Sequence, residues 1–145
     1  MTSQAIPSGA MNVPVRRDDH TATLFQGNSG LTEPARLLIR SDAEWRDAWS
    51  RLVGHVSPAP DAPPVDFTKE MVIVAAMGTQ KTDGHMIRVA RVGRLSGVTY
   101  VEIVSESPGS PCKKIERTTA PADVVVVPKI DEPVTFVETL AVKGC

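Results

Sequence analysis

The segment MGTQKTDGHMIRV, residues 77 to 89, gathers the residue types that can do chemistry: a lysine, a carboxylate and an imidazole, with two glycines to shape the backbone. A phosphate loop would need backbone N–H groups converging on an anion, ahead of a helix whose N-terminus adds positive field. The order here is not GxxxxGK[ST], and the residues after Gly84 alternate like a strand. A general base could be built from His85 oriented by Asp83, but residues two apart on a strand share a face in any case, so their proximity is not diagnostic. No GxSxG or other nucleophile motif accompanies them, and Cys112 sits in a Pro-rich loop with no helix N-terminus to activate its thiol. The residues thus argue against an enzyme. Asp83-Gly84 is a turn dipeptide, so residues 79 to 85 read as a hairpin loop in which Thr79, Gln80, Lys81 and Thr82 are solvated. The sharper reading is that Thr79, Gln80, Lys81, Thr82, Asp83, Gly84 and His85 together present polar groups to a protein partner, since binding is usually placed on loops carried by a rigid sheet.

The rest of the composition narrows the classes further. A chain of 145 residues, 41% hydrophobic, can build one domain with a sizeable core. Its 16 Lys and Arg against 17 Asp and Glu create no net field for nucleic acid or anionic lipid, so no nucleic-acid partner is expected. Only 4% of residues are aromatic, and both Trp residues lie in one helix-like segment, which argues against a stacking platform for bases or sugars. No cofactor motif is present, and two Cys with three scattered His lack CxxC or HExxH spacing, so no metal site is expected. Cys112 and Cys145 are either two free thiols or a pair closing a loop worth about 3 to 4 kcal/mol in the chain-entropy model. No apolar run approaches the roughly 20 residues of a membrane helix, and residues 1 to 20 lack the apolar core of a secretory signal. An exported chain whose signal has been removed has the same form.

The elements that must position the loop are set by periodicity. Residues 1 to 20 mix Ser, Pro, Gly and charge and read as a flexible tail or tether, with a single domain over 21 to 145. TATLF is a short run before the turn QGNSG. One helix is expected over about 41 to 54: Ser41 and Glu44 form a capping box, Trp45, Ala48, Trp49, Leu52 and Val53 make an apolar stripe, and Gly54 suits the stop. Trp45 and Trp49 then anchor helix to sheet, each burial worth a few kcal/mol at about 25 cal/mol per Å². Four prolines within 58 to 67 give an extended connector ending at Phe67, a further structural residue. MVIVAAM, MIRVARV and VTYVEIV read as a three-strand meander, followed by a polar strand in KKIERTT, a buried one in VVVVP and a last one in VTFVETLAV. In that last strand Val134, Phe136, Leu140 and Val142 are expected to face inward, with Glu138 as a bulge or a carboxylate at the sheet's rim rather than a buried catalytic acid. The expected fold is α+β and mainly β: an antiparallel sheet curled into a sandwich or partial barrel with one covering helix.

The order of NSGL, EWRDAW, a Pro-rich connector into DFTKEMVIVAAMG, the TDGH turn and SPGSPCKKIERTTAPADVVVVPK resembles the C-terminal domain of the PrcB family, named for a subunit of a bacterial surface protease complex. The likeness spans residues 28 to 129. In that family the turn runs Thr or Ser, Gly-Gly, then Tyr; here Thr82, Asp83, Gly84 and His85 stand in its place, while Pro111 and Cys112 match the Pro and Cys before the next strand. The resemblance implies a non-catalytic accessory or protein-interaction domain of exported bacterial proteins at the cell envelope, one that docks onto or assists a protease. At a greater distance the turn is analogous to the one that chagasin-like inhibitors insert into cysteine proteases, which makes a protease inhibitor using residues 79 to 85 the alternative.

Overall fold

The computed structural model of the chain describes residues 5 to 145. In chain order the elements are β1 (Met11–Val13), α1 (Asp19–Phe25), β2 (Ala35–Ile39), α2 (Asp42–Leu52), β3 (Glu70–Ala76), β4 (Gln80–Thr82), β5 (Met86–Leu95), β6 (Val98–Pro108), β7 (Glu116–Thr119), β8 (Ala122–Pro128) and β9 (Val134–Lys143). Strands dominate, as the alternating and Val-rich runs require. They form a four-stranded sheet β1-β5-β6-β9, a three-stranded sheet β2-β3-β8 and the pair β4-β7, and no barrel closes among the described residues.

The helix α2 forms where its caps and stripe demand it. Ser41 Oγ accepts from the Glu44 amide at 3.2 Å, satisfying a donor that a helix start leaves open, and Glu44 Oε1 reaches back to accept from the Arg40 amide, just before the cap, at 3.1 Å. Trp45, Ala48, Trp49, Leu52 and Val53 bury against Val72, Val74 and Ala76 of β3 and Val124 and Val126 of β8. The two indoles meet edge to face with centroids 5.5 Å apart, and Trp49 meets Phe25 likewise. Trp45 Nε1 donates to the Pro63 carbonyl at 3.2 Å and Trp49 Nε1 to that of Pro60 at 2.8 Å, which draws the proline connector over the helix; Phe67 packs, half-buried, against the same core.

The opposite face of β3 and β8 forms a second core. Met71, Ile73, Ala75, Val125 and Val127 pack there against Ile87, Val89, Val92, Val101 and Ile103 of β5 and β6, with Phe136 half-buried beside them. The expected meander is therefore divided. β5 and β6 do form a hairpin, turned by Ser96 and Gly97 at φ +51° and +79°, but β3 belongs to the other sheet, because residues buried on both faces must lie between two layers.

Other expectations are corrected as well. Two helices form among the described residues: TATLF belongs to α1, whose N-cap Asp18 accepts from the amides of His20 and Thr21, and whose Phe25 is buried under α2. The large sheet is mixed, since the chain crosses through β7 and β8 and returns as β9 parallel to β6. Of the expected tail, residues 1 to 4 lie outside the described residues, and from Ile6 onward the segment is part of the fold. Ile6 is buried over Gly93, β1 pairs with β5, and Arg16 exchanges backbone bonds of 2.9 and 2.8 Å with Val126 of β8. This segment lies in the seam between the two sheets. In β9 the inward row stops at Glu138: Leu140 is 52% exposed and Val142 63%, because the strand outruns the sheet that would cover it.

One rung spans both sheets. Arg36, Ala75 and Asp123 are register partners across β2, β3 and β8, and Val89, Ile103 and Glu138 are partners across β5, β6 and β9. At one flank Arg36 holds Glu138 with Nη2 to Oε1 at 2.8 Å and Nε to Oε2 at 2.9 Å, and its Nη1 donates to the Ala76 carbonyl. At the other, Asp123 accepts from the Val89 amide at 2.8 Å and from Arg17 Nη2 at 2.7 Å and Nε at 3.0 Å, while Arg17 Nη2 donates to the Val89 carbonyl. Side chains thus bridge the seams where a closed barrel would have backbone ladders.

Candidate functional site

Residues 79 to 85 connect β3 of one sheet to β5 of the other, so they are not a hairpin loop within a sheet. The central residues form their own strand, β4, paired with β7. Gly78, at φ +78°, lets the chain turn off β3, and a Cβ there would stand 2.8 Å from the ring of Pro34. The Thr79 amide and hydroxyl both donate to the Thr32 carbonyl, at 3.0 and 3.1 Å. Thr119 Oγ1 donates to the Thr82 carbonyl at 2.8 Å. These bonds hold Gln80 and Thr82 half-buried and leave Thr79, Lys81 and Gly84 exposed, so the expected solvated row is solvated only in part.

Asp83 and His85 do not form a dyad. The Asp83 amide donates to the Ile115 carbonyl at 3.1 Å, and Asp83 Oδ1 accepts from the Ile115 amide at 2.9 Å, which ties the turn to the loop before β7. His85 turns to other partners: Nε2 lies 3.2 Å from Thr82 Oγ1 and Nδ1 3.0 Å from Ser107 Oγ on β6. Because the Thr82 hydroxyl donates to the Asp83 carbonyl at 3.0 Å, it accepts from Nε2–H, and Nδ1 is left to accept from the Ser107 hydroxyl. The imidazole is a brace between the turn and the end of β6. Gly84 sits at φ +87°, where a Cβ would approach Pro108 to 3.2 Å, so its glycine is required by the turn.

A groove of about 490 Å³ flanks the segment, with Ser29, Thr32, His55, Thr79 and Thr118 in its walls. A second, of about 450 Å³, lies at the other end of the fold between β1 and the end of β8, far from these groups. Among the described residues, no group of three or more His, Cys, Asp and Glu is arranged to hold a metal ion, and no helix is long and apolar enough to cross a membrane. Cys112 and Cys145 are bonded, with Cα atoms 5.2 Å apart, which fastens the end of β9 to the loop after β6.

Four polar groups that organise this end of the molecule, Arg17, Arg36, Ser107 and Asp123, are assigned their roles by the structure. Asp123 carried a signal, a lone carboxylate at the head of a run of valines. Its hydrogen bonds raise the pKa of Arg17, outweighing the lowering effect of burial. Comparison of the chain with protein-family models, with curated proteins and with solved structures finds no match in any of the three.

Proposed function

We propose that this chain is a non-enzymatic protein-interaction or accessory domain that presents residues 79 to 85 to a protein partner, in keeping with its resemblance to the PrcB C-terminal domain. The observation that carries this reading is the anchorage of the segment: its backbone is tied to Thr32, Ile115 and Thr119 while Thr79, Lys81 and Gly84 remain exposed. A surface fixed before binding loses little entropy on binding, which favours recognition over simple chain reversal. We read the two sheets as an open sandwich that serves as the rigid mount. The partner in this proposal is a bacterial protease complex, and the Cys112 to Cys145 bridge fits an oxidising, extracytoplasmic setting at the cell envelope.

The test uses a surface change that leaves the anchors alone. Lys81→Glu is expected to lower recovery of the protease partner from native cells about tenfold, a loss of roughly 1.4 kcal/mol. Unchanged recovery would remove the segment from the interface. The exposed Gly84 at the turn favours a second reading, a protease inhibitor whose turn enters an active-site cleft. Assays against cysteine, serine and metalloproteases decide it, and the absence of inhibition across all three sinks it.

A further inference from the structure

We propose that the Cys112 to Cys145 bridge is a thiol–disulfide exchange site whose state sets the order of the turn at Asp83 and Gly84. The loop between Pro108, where β6 ends, and Glu116, where β7 begins, is tied to the rest of the described residues by few bonds. The Gly109 amide donates to the Lys143 carbonyl at 3.0 Å, the disulfide joins Cys112 to Cys145, and Ile115 clasps Asp83. In that clasp the Ile115 carbonyl accepts from the Asp83 amide at 3.1 Å, and the Ile115 amide donates to Asp83 Oδ1 at 2.9 Å. Lys113, Lys114 and Ile115 are all exposed, so no burial stands behind the clasp. Hydrogen bonds open to water contribute little net stability, and it is the covalent tie that keeps Ile115 opposite Asp83. Within the loop, the Gly109 carbonyl accepts from the Cys112 amide at 3.0 Å and from Lys114 Nζ at 3.0 Å, which carries the restraint from the bridge toward Ile115.

The two ends of residues 79 to 85 are therefore fixed by different means. Thr79 is held by the Thr32 carbonyl and Thr82 by the Thr119 hydroxyl, within the pairing of β4 with β7. Asp83 reaches beyond its own segment only to Ile115. Opening the bridge loosens Asp83 and Gly84 and leaves Thr79 to Thr82 in place. The substrate class is a dithiol. Cys145 is exposed and Cys112 buried, so an incoming thiolate attacks Cys145 Sγ; the S–S bond breaks, and Cys112 leaves as a thiolate and takes up a proton. The second thiol of the reductant then attacks the mixed disulfide and frees Cys145 as a thiol. The reductant ends as a disulfide, and two electrons and two protons have passed to the cysteines. The consequence for binding rests on residues 79 to 85 being the surface presented to a partner: the oxidised chain offers a turn already ordered, and the reduced chain must order it on contact.

Amide relaxation measured by NMR, with and without dithiothreitol, tests the coupling on the protein alone. Order parameters at Asp83, Gly84 and Ile115 are expected to fall from about 0.85 to below about 0.6 on reduction, while those at Thr79 to Thr82 hold. Cys145→Ser reproduces the reduced pattern without reductant. Glutathione, a monothiol, is expected to leave its adduct on Cys145, located by the mass of the peptide that carries it. An unchanged turn in the reduced chain or in Cys145→Ser overturns the coupling. Loosening that extends through Thr79 to Thr82 overturns it too, since the bridge would then hold the whole segment. An adduct on Cys112, or a folded chain that dithiothreitol does not reduce, overturns the assigned exchange site. None of these readouts involves a partner, so their failure is distinct from failure of residues 79 to 85 as an interface.

Discussion

Replacing Asp123 by alanine removes the acceptor that holds one seam of the molecule together. Asp123 is 7% exposed and takes three side-chain and backbone donors: Arg17 Nε, Arg17 Nη2 and the Val89 amide. Breaking a buried ion pair by deleting one partner costs about 3 to 5 kcal/mol, but the Arg17 side chain is 35% exposed and can rehydrate, which moves the cost to the low end. The Val89 amide has no such escape and loses its acceptor, a penalty of about 1 to 3 kcal/mol already contained in that figure. The expected destabilisation is about 3 kcal/mol, or a fall of about 6 to 12 °C in Tm for a chain of this length. Asp123→Asn keeps an oxygen for Val89 while losing the charge, and should cost about half as much. Urea unfolding followed by the buried Trp45 and Trp49 measures both variants, and a double-mutant cycle with Arg17→Ala should return a coupling of about 1 to 3 kcal/mol. A loss below about 1 kcal/mol for Asp123→Ala, or equal losses for Ala and Asn, would refute the claim that this carboxylate replaces a backbone ladder.

Two further outcomes rest on local features. Reducing the Cys112 to Cys145 bridge, which closes a separation of 33 residues, should lower stability by about 3 to 4 kcal/mol, seen as a lower urea midpoint in reductant. Asp66 accepts from the Thr68 hydroxyl at 2.6 Å and the Thr68 amide at 3.0 Å, and these bonds lower its pKa below the ordinary 3.8. A carboxyl depressed on folding adds stability that is present above about pH 4 and lost as pH falls through the folded value, so Asp66→Asn should be less stable than the parent at neutral pH, converge with it in acid, and so flatten the acid limb of the stability profile.

Much of this architecture was legible from residue order. Ser41, Glu44 and the Trp45 stripe specified α2 because capping and 3.6-residue periodicity are local properties. The runs MVIVAAM and VVVVP were legible as buried strands because apolar runs are local too, and they fall within β3 and β8. The hidden part is whatever depends on distant partners. Met11, Val13 and Val15 alternate as a strand should, but Pro14 and the surrounding Ser and Gly masked that signal, and only β5 and β8 supply the reason for the segment to be ordered. Leu140 and Val142 keep the inward alternation of β9 past the point where a covering sheet exists, a matter of relative strand length that no single strand encodes. The Asp83 and His85 spacing suggested a shared purpose, whereas their partners, Ile115 and Ser107, come from different loops and strands.

The rung that joins the two sheets also bears on the order in which the molecule assembles. Arg17 and Asp123 are 106 residues apart and Arg36 and Glu138 are 102 apart, whereas β5 and β6 meet through a two-residue turn. Closing such long loops is entropically slow, so the hairpin and the helix form early and the two bridges close near the end of folding. Interactions absent from the transition state govern how fast a protein comes apart rather than how fast it forms. Arg17, Arg36, Asp123 and Glu138 therefore act as latches on the folded state's lifetime, setting how long a molecule once folded resists opening.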